Sequence, residues 1–322
     1  MEVGRRPALP LVEFRQARED DIPRCAEVWW AATNHYVTAL NQAPLPDDLS
    51  IIAKLYVHLR ATDPERFVVA VTPDDAGPGA DRVIAFAVAL QRDHVWFLSM
   101  LFVLPEFQRA RVGQELLSRT MPEPGSNTTI AVGSDSAYPP SNGLYARLGM
   151  PSRTPIWAVV GRPQPGWRPP RFPDGTAIKP ITSDPDGNIE PDLQDELDAL
   201  DRETFGFARS SEHRYVRRDG RRGFTYRDPD GALLGYGYVA MSGRLSPVAV
   251  RDADLQGPVV GHLLTAYEPP GASAAWVTGH SDGAMATLLD AGLRLEGYPL
   301  LFGWSRPFAD FSRCLPVSPG LL

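Results

Sequence analysis

Residues 108–114 read Gln-Arg-Ala-Arg-Val-Gly-Gln, between the apolar run LFVLP (101–105) and a segment carrying Leu116 and Leu117 at amphipathic spacing. A strand that ends at a proline, a short loop, and a helix opening near Gly113 leave the first backbone N–H groups of that helix without intrahelical partners. Those donors and the positive end of the helix dipole favour a phosphate or pyrophosphate. Arg109 and Arg111 add positive charge at the same turn. The chemistry read from these residues is therefore anion binding.

The elements that must hold this turn follow from periodicity and punctuation. A short strand at 14–17 precedes a helix that Asp21 can cap and that runs to about residue 40. Asp48 starts a second helix ending at 63–64. Strands follow at 66–72, 83–91 and 94–103, the last two joined as a hairpin at Arg92 and Asp93. After the helix opened by Gly113 come a strand at 128–132, a helix capped by Ser141 or Asn142 and closed by Gly149, and a strand at 156–160. The stretch 162–173, RPQPGWRPPRFP, holds five prolines and is denied helix or central-strand structure. It divides the chain into domains at 1–162 and 174–322, with 163–173 as linker.

The second part repeats the order. It has a strand at 176–179, a helix at 191–204 with Leu193, Leu197 and Leu200 on one face, and a hairpin of 223–227 with 232–241 around Asp-Pro-Asp-Gly. A strand at 245–250, a helix at 253–267, a strand at 274–278, a helix at 281–291 and a strand at 298–305 complete it. The repeat lies in the order of elements, since identity between the halves is slight.

Size and composition agree with two globular domains. The 322 residues are 43% hydrophobic and 22% charged, with a net charge of −7. That charge disfavours nucleic acid as a partner. Cys25 and Cys314 are far apart and lack metal-ligand spacing, which reads as thiols in a reducing compartment and gives no metal site. The first residues, MEVGRRPALPLVEF, lack an apolar signal core, and no apolar run approaches the roughly 20 residues that span a bilayer. The expectation is a cytoplasmic protein without a membrane partner.

Two segments in order carry a resemblance. Gln108-Arg109-Ala110-Arg111-Val112-Gly113 is similar to the pyrophosphate motif Gln/Arg-x-x-Gly-x-Gly/Ala, and Leu144-Tyr145-Ala146-Arg147-Leu148-Gly149-Met150 to a later Leu-Tyr-x-x-x-Gly-Phe. With the element order, residues 11–161 resemble the GNAT family of N-acetyltransferases, and the whole chain resembles a tandem GNAT protein. The resemblance implies an α/β (α+β) fold of two GNAT-like domains, each a mixed, mostly antiparallel twisted sheet flanked by helices. It also implies acetyl-coenzyme A as co-substrate. The cofactor would be held by main-chain groups of Leu101, Phe102 and Val103, by Gln108, Arg109, Ala110, Arg111, Val112, Gly113 and Gln114, and by Asn142 and Tyr145.

The implied activity is acetyl transfer to the amine of a small molecule by direct attack. The alternatives are a degenerate acyl-coenzyme A binder without turnover and a protein N-acetyltransferase. Tyr145 matches the family's general acid. A phenol of pKa about 10 can protonate a thiolate whose conjugate acid has pKa about 8.5. The base stays open among His94, His35, Glu106, a water chain and the carboxylate of Leu322, with His94 taken as the catalytic candidate. Trp30, His35 and Tyr36 are candidates for the acceptor pocket. Arg111 departs from the family, because it stands where the motif has its first glycine; a negative φ would let the turn accept it.

The corresponding turn of the second half, 250–261, lacks the motif and places Asp252 and Asp254 at the helix start. Carboxylates cap a helix there and repel pyrophosphate. One cofactor site is expected, with the second domain packing and shaping the cleft. A monomer built as a pseudo-dimer and a homodimer are both compatible with this. The basic run RYVRRDGRR (214–222) reads as a solvated loop or hairpin face, with phosphate or acidic-partner contact as the minority reading.

Overall fold

The computed structural model describes residues 12–73, 81–108 and 110–322. They form two compact units, one from 1–91 and 96–126, the other from 92–95 and 127–322, taking the described residues of each.

In the first unit, β1 (Glu13–Gln16) leads through a short turn into α1 (Ile22–Ala39), then α2 (Ser50–Thr62), β2 (Phe67–Pro73), β3 (Asp81–Arg92), β4 (Val95–Val103) and α3 (Val112–Thr120). The strand order is β1-β2-β3-β4. β1 and β3 pair antiparallel with β2, placing Phe14 opposite Ala70 and Phe67 opposite Val88. Six consecutive residues of β2 are buried. A strand covered on both faces reads as a continuous apolar run, which FVVAVT is. Tyr56 of α2 meets Phe67 and Phe86 edge-on, with ring centroids 6.0 and 5.1 Å away. Asp21 precedes α1 but does not cap it with its side chain. Its carboxylate instead accepts from Arg15 (2.6 and 3.0 Å) and from the Arg18 N–H (2.7 Å).

The second unit contains β5 (Thr129–Asp135), α4 (Pro139–Arg147), β6 (Ser152–Gly161), β7 (Ala177–Ile181), α5 (Pro191–Thr204), α6 (Ser210–Arg218), β8 (Arg222–Arg227), β9 (Leu233–Val239), β10 (Leu245–Val250), α7 (Gln256–Ala266), β11 (Ser273–Thr278), α8 (Asp282–Asp290), β12 (Arg294–Trp304) and β13 (Cys314–Leu315). One strand set runs β5-β12-β6-β11 and another β13-β10-β9-β8-β7. The pairings are antiparallel. β12, from the end of the chain, lies between β5 and β6, so strands on both sides of the proline-rich segment share one sheet.

That segment has no helix or strand over 162–176, as its prolines dictate, but it is packed. Trp167 Nε1 donates to Asp290 (2.8 Å), Arg162 to the Pro270 carbonyl (2.6 Å), and Phe172 stacks on Tyr226 at 5.0 Å. The compact units therefore do not part at the prolines.

Three elements differ from the sequence reading. Residues 210–218 form α6 rather than a solvated loop, because Glu212, His213 and Val216 are buried. Glu212 is paired with Arg92 at 2.8 Å, and His213 lies 3.0 Å from Asp201. α4 begins at Pro139, two residues before the expected cap; proline suits the first helical position because its missing N–H needs no partner there. β12 begins at Arg294 instead of 298, because it pairs with β6 from Arg294 onward.

Candidate active site

β4 is buried from Val95 to Ser99 and half-exposed from Met100 to Val103. The Phe102 ring stacks on Phe86 at 5.9 Å, which leaves main-chain groups as what this strand end can offer a ligand. A single 3-10 turn, Pro105–Phe107, follows. Gln108 folds back, its amide donating to the Val103 carbonyl at 3.2 Å. Glu106 is engaged by Arg82 at 2.9 Å and is half-exposed, a surface ion pair rather than a poised base. Arg109 lies outside the described residues.

Arg111 immediately precedes α3 with φ 62 and ψ 7, in the left-handed region. The condition under which arginine would sit easily there, a negative φ, is not met. The turn keeps the backbone that glycine favours and imposes it on an arginine, at about 1 kcal/mol of strain. Among the described residues no side chain caps α3. The Glu115 N–H bonds to the Arg111 carbonyl at 3.1 Å, so the N–H groups of Val112, Gly113 and Gln114 precede that first helical bond. A Cβ on Gly113 would meet only Val103 Cγ2, at 3.4 Å. The helix start beside the end of β4 is thus uncapped, with an exposed Arg111 and a glycine at its second residue. These residues fit a pyrophosphate.

Tyr145 of α4, in the other unit, is 6% exposed. Burial pushes its phenol above its ordinary pKa, against a weaker opposing effect of the hydrogen bond with Ser141. The hydroxyl is therefore protonated at neutral pH, as a proton donor must be. Asn142 is not the cap of α4. Its Oδ1 accepts from Ser134 (2.6 Å) and its Nδ2 donates to the Asp135 carbonyl (2.9 Å), tying the helix to the end of β5. Ser141, the other expected cap, lies inside α4, and Ser134 carried no signal in the sequence.

His94 does not hold as the base. It is exposed, in the tight turn before β4, and the seven-residue rise from it to Leu101 spans about 23 Å. Leu322 is not a free base either: its main-chain oxygen is buried and accepts two hydrogen bonds from Arg209, at 3.1 and 2.5 Å. On α1, Trp30 Nε1 donates to the carbonyls of Leu45 and Pro46 (3.2 and 3.1 Å), and Asn34 accepts from the Leu45 N–H (2.7 Å). Trp30 thereby pins the loop that follows the helix. His35 is exposed and lies about 140° around the helix from Trp30. Tyr36 is half-exposed, so the three do not form one patch.

The corresponding turn of the second half is closed. Asp252 accepts from the Asp254 N–H at 3.1 Å, and α7 is buried along Gln256–Gly261. Gly257 abuts Thr287 and Gly283 of α8, and Gly261 abuts Pro169 and Pro170. Among the described residues, one buried cluster, Asp198, Asp201 and His213, has metal-ligand chemistry. Its atoms are already engaged by protein donors and acceptors, Asp198 by Gln194 (2.8 Å) and Ser210 (2.5 Å), and Asp201 by Tyr236 (2.5 Å) and His213 (3.0 Å).

The sequence profile described as the acetyltransferase (GNAT) family matches residues 25–150. No curated protein matches. Among solved structures, a Pyrococcus horikoshii protein assigned to the acetyltransferases aligns over 100% of both chains with TM-score 0.71 and 16% identity. A GCN5-related N-acetyltransferase from Sphaerobacter thermophilus aligns over 94% of this chain and 98% of its own, with TM-score 0.58 and 16% identity. A tandem GNAT protein from the clavulanic acid biosynthesis pathway aligns over 92% and 99%, with TM-score 0.53 and 16% identity. At these identities the structures speak for the fold, and the profile speaks for the family. Residues 25–150 match the model of the acetyltransferase (GNAT) family, and the fold of the chain is similar to that of a tandem GNAT protein.

Proposed function

We propose that this protein is an N-acetyltransferase that moves the acetyl group of acetyl-coenzyme A to the amine of a small molecule. The observation that carries the reading is the uncapped start of α3, where Arg111 is held at φ 62 ahead of Gly113. Acetyl-coenzyme A supplies the activated thioester. The N–H groups of Val112, Gly113 and Gln114 take the pyrophosphate, with Arg111 adding a charge-assisted bond. The main chain of Leu101 and Val103 pairs with the pantetheine arm as an added strand would, and the Leu101 N–H polarises the thioester carbonyl. The amine nitrogen attacks the carbonyl carbon, the carbon–sulfur bond breaks, and the leaving thiolate takes up a proton from solvent. The amine's surplus proton passes to solvent.

Thermal unfolding with acetyl-coenzyme A tests the cofactor reading. Ligand at about 100 times its Kd adds about 2.7 kcal/mol to stability. Gly113→Asp, which puts a carboxylate against the pyrophosphate, is expected to abolish the shift while leaving the unliganded melting temperature near wild type. Absence of any shift with wild type at millimolar ligand contradicts the reading. Binding without thiol release from any amine would instead make the protein an acyl-coenzyme A binder. Release with lysine peptides alone would make it a protein acetyltransferase.

A further inference from the structure

β10 pairs with β9 along one edge. Its other edge begins beside β11, at a parallel bridge between Arg244 and Ala274, where the Ala274 N–H donates to the Gly243 carbonyl at 3.0 Å. Further along, the neighbour on that edge is β13, with Val248 opposite Leu315 and Ala249 opposite Cys314. The Val250 N–H donates to the Arg313 carbonyl at 2.9 Å. On either side of this short pair, Ser281, which precedes α8, donates through Oγ to the Phe311 carbonyl (2.8 Å), and Ser246 Oγ donates to the Val317 carbonyl (2.9 Å). Residues 311–317 thus fill the gap where β10 and β11 part, tied to β10 on one side and to the start of α8 on the other. Cys314, Leu315 and Val317 are buried there. Pro316 has no N–H with which to extend the ladder.

The place of this contact in the second half has a counterpart in the first. Val250 is the last residue of β10 and Val248 lies two before it, the positions that Val103 and Leu101 hold in β4. Each strand leads into a 3-10 turn, Ala253–Leu255 before α7 and Pro105–Phe107 before α3. Residues two apart on a strand turn their main-chain groups to the same neighbour. The strand positions read above as holding the pantetheine arm in the first half are therefore paired, in the second, with the chain itself. Asp252 and Asp254 at the helix start disfavour a diphosphate beside them. A ligand for this slot is thus an extended amide chain without the nucleotide.

We propose that residues 311–317 are an internal plug, standing in the second half where the pantetheine arm stands in the first, and that the slot they vacate takes an uncharged pantetheine-type chain. The plug's ladder is only two residues long, so it can leave while β9 and β10 stay paired. The nature of the ligand rests on the reading of Leu101 and Val103 under the proposed function; the release of the plug does not.

Cys25 in the first unit and Cys314 in the plug are free, fully buried thiols, so alkylation of the full chain tests the proposal. Iodoacetamide labelling is followed at each cysteine by peptide mass. Cys314 is expected to label roughly tenfold faster than Cys25 or more, because local release precedes unfolding. Millimolar S-acetylpantetheine should speed Cys314 labelling further, by capturing the state with the plug out, without speeding Cys25. The same response is expected in Gly113→Asp. A Cys314 response that persists where acetyl-coenzyme A gives no thermal shift separates this slot from the start of α3. Equal rates at the two cysteines mean that β13 leaves only when the protein unfolds, and overturn the proposal. Cys314 labelling that S-acetylpantetheine slows or leaves unchanged, or a speeding shared by Cys25, overturns it equally.

Discussion

Arg111 carries two opposed effects at one position. Its φ of 62 strains the backbone, and its guanidinium places charge at the start of α3. Arg111→Gly is expected to raise the stability of the free protein by up to about 1 kcal/mol, the αL strain of a side chain offset in part by the flexibility of glycine. It should also weaken acetyl-coenzyme A severalfold through the lost cation. Denaturant unfolding with and without cofactor measures both, and a loss of free-protein stability would contradict the strain argument. Tyr56 offers a second test of residue-scale energetics. Its hydroxyl is fully buried and has no hydrogen-bond partner among the described residues. Tyr56→Phe is expected to keep or raise stability, by about 1 kcal/mol, since it removes an unsatisfied polar group without leaving a cavity. Asp21 bears on pH. Burial would raise its pKa, but the bond from Arg15 and the Arg18 N–H outweigh this and hold it low. A carboxylate depressed in the folded state stabilises above its unfolded pKa, about 4, and loses that contribution as pH falls through the folded value. The stability gap between wild type and Asp21→Asn should therefore be present at pH 7 and close in acid.

At the scale of elements, the local signals were readable and the distant partners were not. The strands, the αL glycine after α4, and the acidic cap of the turn that leads into α7 followed from alternation, Gly149 and Asp252. α6 was hidden because its buried charges look like surface charges until Arg92 and Asp201 are seen to meet them. Arg92 lies 120 residues from Glu212. Of the site, the turn at 108–114 was identifiable from residue types, but the φ of Arg111 and the pinning of the 41–49 loop by Trp30 were not. His94 was misplaced because a strand reading locates a residue along the chain without saying which end of the strand holds the chemistry. β12 gives the element-scale prediction. Gly303 pairs with Val132 and Ser152, and a Cβ there would stand 2.6 Å from the Met150 carbonyl. Gly303→Val should destabilise by roughly 2 kcal/mol or more through overpacking against backbone, read as a lowered urea midpoint at unchanged slope.

For the whole molecule, the placement of β12 between β5 and β6 has a consequence for truncation. A chain ended at residue 162 would leave β6 without both of its neighbours, β12 and β11. An exposed apolar strand edge of this kind pairs with other copies. The fragment 1–162 is expected to aggregate in gel filtration, whereas the full chain, which supplies those strands itself, is expected to stay in solution. A stable monomeric fragment would contradict that interdependence. In the second half the corresponding turn is capped by Asp252 and covered by α8 and the prolines.

The central claim is acetyl transfer from acetyl-coenzyme A to an amine at the start of α3, and thiol release measures it most directly. With acetyl-coenzyme A and a panel of small primary and secondary amines, wild type is expected to release thiol in an amine-dependent way. Gly113→Asp should lower kcat/KM by roughly tenfold or more, because it places charge where the pyrophosphate binds. Amine-independent release, or a Gly113→Asp protein as fast as wild type, would contradict the account.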